Sequence, residues 1–374
     1  MKIIAFYLPQ FHEIPENNEW WGKGFTEWTN VKSAKPLFKG HYQPRIPLNQ
    51  NYYNLLDPET RQWQAEIAKK HGVYGFCYYH YWFLGKKLLN KPAEEMLRLG
   101  QPDMPFCFSW ANESWVRTWE GKSKQILIAQ EYGGKEDWKK HFEYLLPFFN
   151  DRRYILKDGK PFFIIYRPEL MDCCNEMLDY WQELAIKSGL GGLTIAYQNV
   201  HFSRKADRDE SRFAYGIEYQ PANAFMRYSD DYVSNPVKRA ISVLKRRLRK
   251  PYCIITGRED TSRLLDLDYD EIWSYVLSQK PDSDKKIPGA FVDWDNTPRH
   301  KGRGSVYKGA TPEKFQRYLS KQILRAREVY HKDMLFLFAW NEWAEGGYLE
   351  PDEKYRYAYL EAIKAALEET GEYE

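Results

Sequence analysis

Eight times along the chain a short apolar run ends in polar or aromatic residues and gives way to other segments, several of helical pattern. This alternation constrains the fold more than any other feature. The runs are Ile3 to Leu8, Val73 to Tyr79, Phe106 to Trp110, Phe162 to Tyr166, Leu193 to Gln198, Ala214 to Tyr219, Gly289 to Val292 and Leu335 to Ala339. Between the first two, Asp57-Pro58-Glu59 is a helix start, with Asp as cap and Pro in the first turn, and Gly72 is the stop. Further helices are predicted over Lys135 to Phe149, Asn175 to Ser188, Thr311 to Val329 and Tyr355 to Glu369. Repeated β-then-α order predicts an α/β fold, a (β/α)8 TIM barrel with long strand-to-helix loops. A doubly wound sheet is the alternative, but no GxGxxG turn follows any of the strands. With 374 residues, 43% of them hydrophobic, the chain can bury one large core, read as a single catalytic domain over 1–374 with a candidate inserted subdomain at 225–288.

In such a barrel the C-terminal strand ends carry the chemistry. Polar and aromatic residues collect there, where buried polar groups would otherwise need partners elsewhere. Pointed into one cleft, they predict substrate contacts from Tyr7, Tyr79, His80, Trp82, Trp110, Asn112, Glu113, Tyr166, Arg167, Glu218, Tyr219, Trp294, Asp295, Trp340, Asn341 and Trp343. His80 is expected to face the ligand as a donor. Glu113 and Glu218 would hold hydroxyls or tune a catalytic pair, with structural hydrogen bonding as the alternative. Asp295 and Arg299 either pair with each other at the rim or touch substrate. The chain also holds 14 Trp, 29 Tyr and 20 Phe, flat faces that suit either sugar rings or core packing. The long stretch from Pro9 to Leu56, rich in aromatic residues, is expected to be an ordered loop over the barrel mouth.

Near the C-terminus the sequence MLFLFAWNEWAEGG, Met334 to Gly347, runs from a strand pattern straight into Glu342 and Glu345. Cleaving glycosidic bonds takes two carboxyl groups at one locus. Among 52 acidic residues a Glu-x-x-Glu pair arises by chance on wet helix faces. Trp340, Trp343, Asn341 and the Gly346-Gly347 pair do not suit such a face, which marks the segment as a catalytic turn.

Other features bound the function. A formal net charge of +3 gives no field suited to nucleic acid. No window of about 18 apolar residues predicts a membrane span, and MKIIAFYLPQFHE reads as a first strand and not as a signal peptide. Five cysteines, an odd number, with no CxxC spacing, predict a reduced, cytoplasmic chain. The eight histidines form no HxH or HExxH spacing, so neither a metal nor a cofactor is expected. Asp266, Asp268 and Asp270 match a DxD metal motif superficially, and helix capping is the preferred reading. The segment at 236–250, PVKRAISVLKRRLRK, carries seven basic residues and no acidic one. As a helix it would suit an anionic membrane surface, with a solvated helix face as the competing reading.

The motifs AFYLPQFHEIPENNEWWGKGFTEW, KPLFKGHYQP, GFCYYHYWF, FSWANESW, DGKPFFIIYRP, WDNTPR and WNEWAEG with LEPD, in this order, resemble the WbsX-type family of bacterial polysaccharide-biosynthesis proteins. That family is related to the family-99 glycoside hydrolases, the endo-α-mannosidases and endo-α-mannanases. The resemblance spans Ala5 to Asp352 and implies a (β/α)8 barrel and a carbohydrate substrate. It adds weight to Glu27 and Trp28 as binding residues. Carried over, it implies that Glu342 deprotonates the sugar 2-hydroxyl, whose oxygen displaces the leaving group to give a 1,2-anhydro sugar. Glu345 would protonate the departing oxygen and then activate water, with retention. The reading is a retaining glycoside hydrolase or transglycosidase acting on a bacterial surface polysaccharide. A nucleotide-sugar glycosyltransferase and a non-catalytic glycan-binding protein are the alternatives.

Overall fold

The computed structural model describes residues 1–118, 124–200, 209–256 and 259–373. Each of the eight apolar runs forms a strand. These are β1 Lys2–Tyr7, β2 Val73–Phe83, β3 Phe106–Trp110, β4 Lys160–Ile165, β5 Thr194–Asn199, β6 Tyr215–Glu218, β7 in two pieces, Lys286–Ile287 and Gly289–Phe291, and β8 Met334–Phe338. Neighbours pair in parallel from β1 to β6, and β8 pairs with β1 at Ile3↔Leu335. Pro288 splits β7 because it has no N–H to give the ladder. The first piece pairs with β6 at Ile217↔Ile287, the second with β8 at Ala290↔Leu337. The result is a parallel barrel, closed but for this interruption, with helices around it.

The helices form where their end signals lie. Helix α1 is Pro15–Trp21 and α2 is Glu27–Ser33, both in the long loop after β1. Helix α3, Pro58–Lys70, begins where the Asp57 side chain accepts from the Glu59 amide. Behind it Gly72, at φ +85°, allows a turn in which a Cβ would come within 2.5 Å of Leu367. Helices α4 Lys91–Leu99, α5 Lys135–Phe149 and α6 Cys174–Lys187 follow β2, β3 and β4. No helix joins β5 to β6 among the described residues, a departure from the expected alternation. After β6 come α7 Ala222–Ser234, α8 Pro236–Thr256 and α9 Tyr269–Ser278. Trp273 of α9 is fully buried and stacks on Phe291 of β7 at 4.9 Å, so α9 packs on the barrel. The short α10 Thr297–His300 leads to α11 Pro312–Glu328, capped by Thr311, and α12 Ala358–Thr370 packs beside α11.

The core is aromatic. Phe6 stacks on Tyr79 and meets Phe336, which in turn stacks on Phe162, so rings from β1, β2, β4 and β8 fill the barrel. Trp110, Trp181, Trp273, Trp340 and Trp343 are among the largest fully buried side chains. Much of the aromatic surplus therefore goes into packing, at roughly 0.5–1.5 kcal/mol per ring pair beyond area burial.

Candidate active site

All barrel strands point the same way, so their C-terminal ends meet at one mouth, and a cleft of about 620 Å³ opens there. Its wall takes Gln10 from beyond β1, Tyr79 and Tyr81 from β2, Glu113 and Trp115 from beyond β3, and Tyr166 and Tyr219 from beyond β4 and β6. Arg299 and His300 from α10 and the two glutamates after β8 complete it, with Phe25, Glu27 and Asn30 from the long loop. The Tyr79 and Tyr219 hydroxyls meet at 2.8 Å across the floor.

The glutamate turn is built locally. Asn341–Glu342 pairs antiparallel with Gly347–Tyr348, and Trp343–Glu345 between them is a single 3-10 turn. Glu342 precedes the turn and Glu345 ends it, and both side chains reach the same guanidinium of Arg299. Gly346 closes it at φ +74°, with the Asp295 amide only 2.7 Å from where a Cβ would sit. That amide donates to the Glu345 carbonyl at 2.7 Å, tying the turn to the segment after β7. Behind the turn the buried Glu350 accepts from Trp343 Nε1 at 2.6 Å, Tyr53 Oη at 2.8 Å and Gln64 Nε2 at 2.6 Å. Burial lifts its carboxyl to about 7 against those three bonds.

One guanidinium organises the acids. Arg299 donates to Glu27 at 2.8 Å, Glu345 at 2.5 Å and Glu342 at 3.1 Å. Burial works against the Arg299 charge, but Glu27, Glu345 and Glu342 outweigh it and hold the group well above its ordinary value. Burial likewise pushes the Glu342 carboxyl up to about 8, with Arg299 pulling down and Glu345 and Glu27 pushing up. Three carboxylates thus share one cation, and Glu342 is the one that burial holds protonated. The site can therefore hold a proton near neutral pH next to a second carboxyl, which is what acid–base chemistry on an alcohol or ether oxygen requires.

Of the sequence candidates, the structure brings Glu27, Tyr79, Glu113, Tyr166, Tyr219, Glu342 and Glu345 into the cleft. Others turn away, because successive strand residues face opposite sides. On β2, Tyr79 and Tyr81 point in while His80 and Trp82 point out. His80 Nε2 sits 2.7 Å from His141 of α5, and Trp82 stacks on the same ring at 4.5 Å and donates to Asp137. His80 is thus no ligand donor; burial lowers it to about 3. Trp110 packs edge-on against His141, and Tyr7 donates to Gln64 of α3 at 2.7 Å. Glu218 accepts from Tyr330, outside the barrel.

The remaining candidates brace the mouth without lining it. Asn341 accepts from the Leu8 amide and donates to its carbonyl, clamping β8 to β1, and Asn112 does the same with Arg167. Arg167 pairs with Glu113 at 2.9 Å and Glu169 at 3.0 Å. Trp340 packs on Phe76, Trp343 stacks on Tyr348 at 3.8 Å, and Trp28 donates to the Tyr53 carbonyl. Trp294 donates to Ser305. Asp295 does not pair with Arg299: it bonds His41, Gln43 and Thr297 instead. Burial opposes its charge, yet His41 and Arg45 hold it at about 2. The DxD carboxylates are also engaged: Asp266 with Lys308 and Arg249, Asp268 as the cap of α9, and Asp270 with Lys314. Among the described residues no cluster of His, Cys, Asp and Glu is arranged to hold a metal ion.

Sequence reasoning passed over Tyr81, Trp115, His300 and the role of Arg299. Parity with Tyr79 would have found Tyr81. The contact of Arg299 with Glu27 crosses 272 positions, and no local pattern signals it.

A barrel with this cleft places the chain among proteins of the glycoside hydrolase family 99 type of fold. It aligns with the GH99 endo-α-mannosidase of Bacteroides thetaiotaomicron at a TM-score of 0.51 and 13% identity, over 99% of this chain and 97% of that one. It aligns with a structure described as a glycoside hydrolase-like protein at a TM-score of 0.55 and 13% identity, over 98% and 93%. The chain belongs to the WbsX glycosyltransferase family, whose model matches residues 3–363. WxcX proteins from two strains of Xanthomonas campestris pv. campestris, ATCC 33913 and B100, are 35% identical over 98% of this chain. The chain spans about half the length of these curated relatives, 49% in each case.

Proposed function

We propose that the protein is a retaining glycoside hydrolase or transglycosidase that acts on internal linkages of a bacterial surface polysaccharide, on a (β/α)8 scaffold. The observation that carries this reading is Arg299 holding Glu342 and Glu345 together on the wall of an aromatic cleft. In the molecules in which it is ionised, Glu342 takes the proton from a sugar 2-hydroxyl, and that oxygen attacks C1 as the C1–O bond to the leaving sugar breaks. Glu345 gives its proton to the departing oxygen. Glu345, now ionised, takes a proton from water or an acceptor hydroxyl, whose oxygen opens the 1,2-anhydro ring at C1. The ring oxygen recovers its proton from Glu342, and two inversions leave the configuration retained. Tyr79, Tyr81, Tyr166, Tyr219 and Trp115 supply faces and hydroxyls for sugar rings on either side of the reacting bond.

The test is a screen of bacterial surface polysaccharides and α-mannans with wild type and Glu345→Gln, products read by mass spectrometry. Fragments released by wild type alone support the reading; equal release by both, or none from any glycan, refutes it. The family's description as a glycosyltransferase favours a second reading, transfer from a nucleotide sugar. Thermal stabilisation by UDP or GDP sugars without fragment release would select it.

A further inference from the structure

Helix α8 carries an apolar stripe that the fold leaves in solvent. Val237, Ile241, Leu244, Leu248 and Ile255 recur at helical spacing on one side, with 65, 49, 57, 62 and 83% of their surface exposed. With Val243, six of the sixteen exposed large hydrophobic residues among the described residues sit on this one helix. Elsewhere no helix carries more than one of them, although Val116 and Ile126 pair across two strands; a stripe along one helix marks a contact. The helix is fixed to the body by its other side. Arg249 pairs with Asp266 at 2.8 Å and donates to the Leu264 carbonyl at 3.0 Å, and Cys253 is buried. A turn of 100° per residue puts both positions far around the helix from the stripe, so the apolar side faces outward by construction.

The sequence of the helix carries charge of one sign. Residues 236–250 include seven Lys and Arg, and 236–256 include no acidic residue. Exposed Arg247 and Lys250 open onto a surface cavity of about 1170 Å³ that Arg263, Lys301 and Arg303 also line, with Glu259 and Asp260 the acidic residues among the described lining. A second copy of this chain docked stripe to stripe would bring two helices that are basic and free of acidic residues together, which argues against self-association. We propose that α8 seats the protein on an anionic lipid surface, the stripe among the acyl chains and the basic residues against headgroup phosphates. Arg299 and His300 line both the basic cavity and the candidate cleft, so docking would hold the cleft at headgroup level.

Co-sedimentation with vesicles of phosphatidylcholine alone, and of phosphatidylcholine and phosphatidylglycerol in roughly equal parts, tests this without any glycan, independently of the cleft chemistry. Binding to the anionic vesicles should exceed that to neutral ones by about tenfold or more and fall as salt rises. The Ile241→Ser, Leu244→Ser, Leu248→Ser triple variant, all at exposed positions, should lose it while keeping its melting curve, and Arg247→Glu with Lys250→Glu should weaken it. The proposal is overturned if wild type ignores both vesicles, if either variant binds like wild type, or if light scattering shows a dimer that the triple substitution splits.

Discussion

Glu342→Gln should make the protein more stable, and more so the higher the pH. The wild-type carboxyl is raised from 4.5 to about 8 in the folded state. Its stabilising contribution is therefore fully present below about pH 4.5 and is lost as pH rises to 8, because the unfolded chain gives up that proton first. Over roughly 3.5 pH units, at about 1.36 kcal/mol each, the loss approaches 5 kcal/mol. The side chain is only 7% exposed, so solvent screens little of it. Glutamine keeps the shape and an acceptor for Arg299 but has no proton to lose. Urea unfolding of both proteins at steps from pH 5 to pH 9 measures this directly. The gap between them should widen by a few kcal/mol across the range, in favour of the variant, while glycan cleavage disappears. Parallel pH dependences would refute the reasoning, since Glu342 would then ionise in the fold as it does unfolded. Instability concentrated in Glu342 is the pattern expected if it is the reacting group, as proposed.

Arg299→Met removes the cation shared by Glu27, Glu342 and Glu345, each contact being worth roughly 4–5 kcal/mol at an effective dielectric of about 20 before screening. Because the side chain is 26% exposed, Glu342 should rise by only about one to two further pH units, visible in a carboxyl carbon-13 NMR titration, with cleavage reduced about a hundredfold near neutral pH. Trp82→Ala, which strips the stack on His141, should cost about 3–5 kcal/mol in urea unfolding yet leave the KM of the folded enzyme unchanged. Tyr81→Ala, one residue away on the inner side, should do the reverse and raise KM for the cleaved glycan with a much smaller change in stability. Gly346→Ala forces a Cβ against the Asp295 amide at 2.7 Å in a left-handed turn, and should lower both the melting temperature and the rate.

Much of the fold was legible in the sequence. Eight apolar runs became eight strands, and Asp57 and Thr311 capped the helices they were read to start. These signals are local: burial of a run, a side-chain oxygen for an orphan amide, a proline without an N–H. The division of β7 at Pro288 obeys the same chemistry, although only the partners on either side show that it all but closes the ring. The location of the candidate site was legible too, since Trp340, Trp343 and the paired glycines rule out a wet helix around Glu342 and Glu345.

Which neighbouring residues face the cleft was not legible by composition, because parity on a strand decides it. Tyr79 and Tyr81 look inward and His80 and Trp82 outward only once β2 is placed in its sheet, and a shift of one position would exchange them. The choice of ion partners was further still from the sequence. Asp295 and Arg299 lie four positions apart, yet the first bonds His41 and the second Glu27, Glu342 and Glu345. By itself the sequence determined the strands, the helix ends and the glutamate turn, since each depends on a few adjacent residues. Only the tertiary structure decided how those acids are charged and what they face, since burial and a guanidinium from a distant segment exist only after the chain has closed on itself.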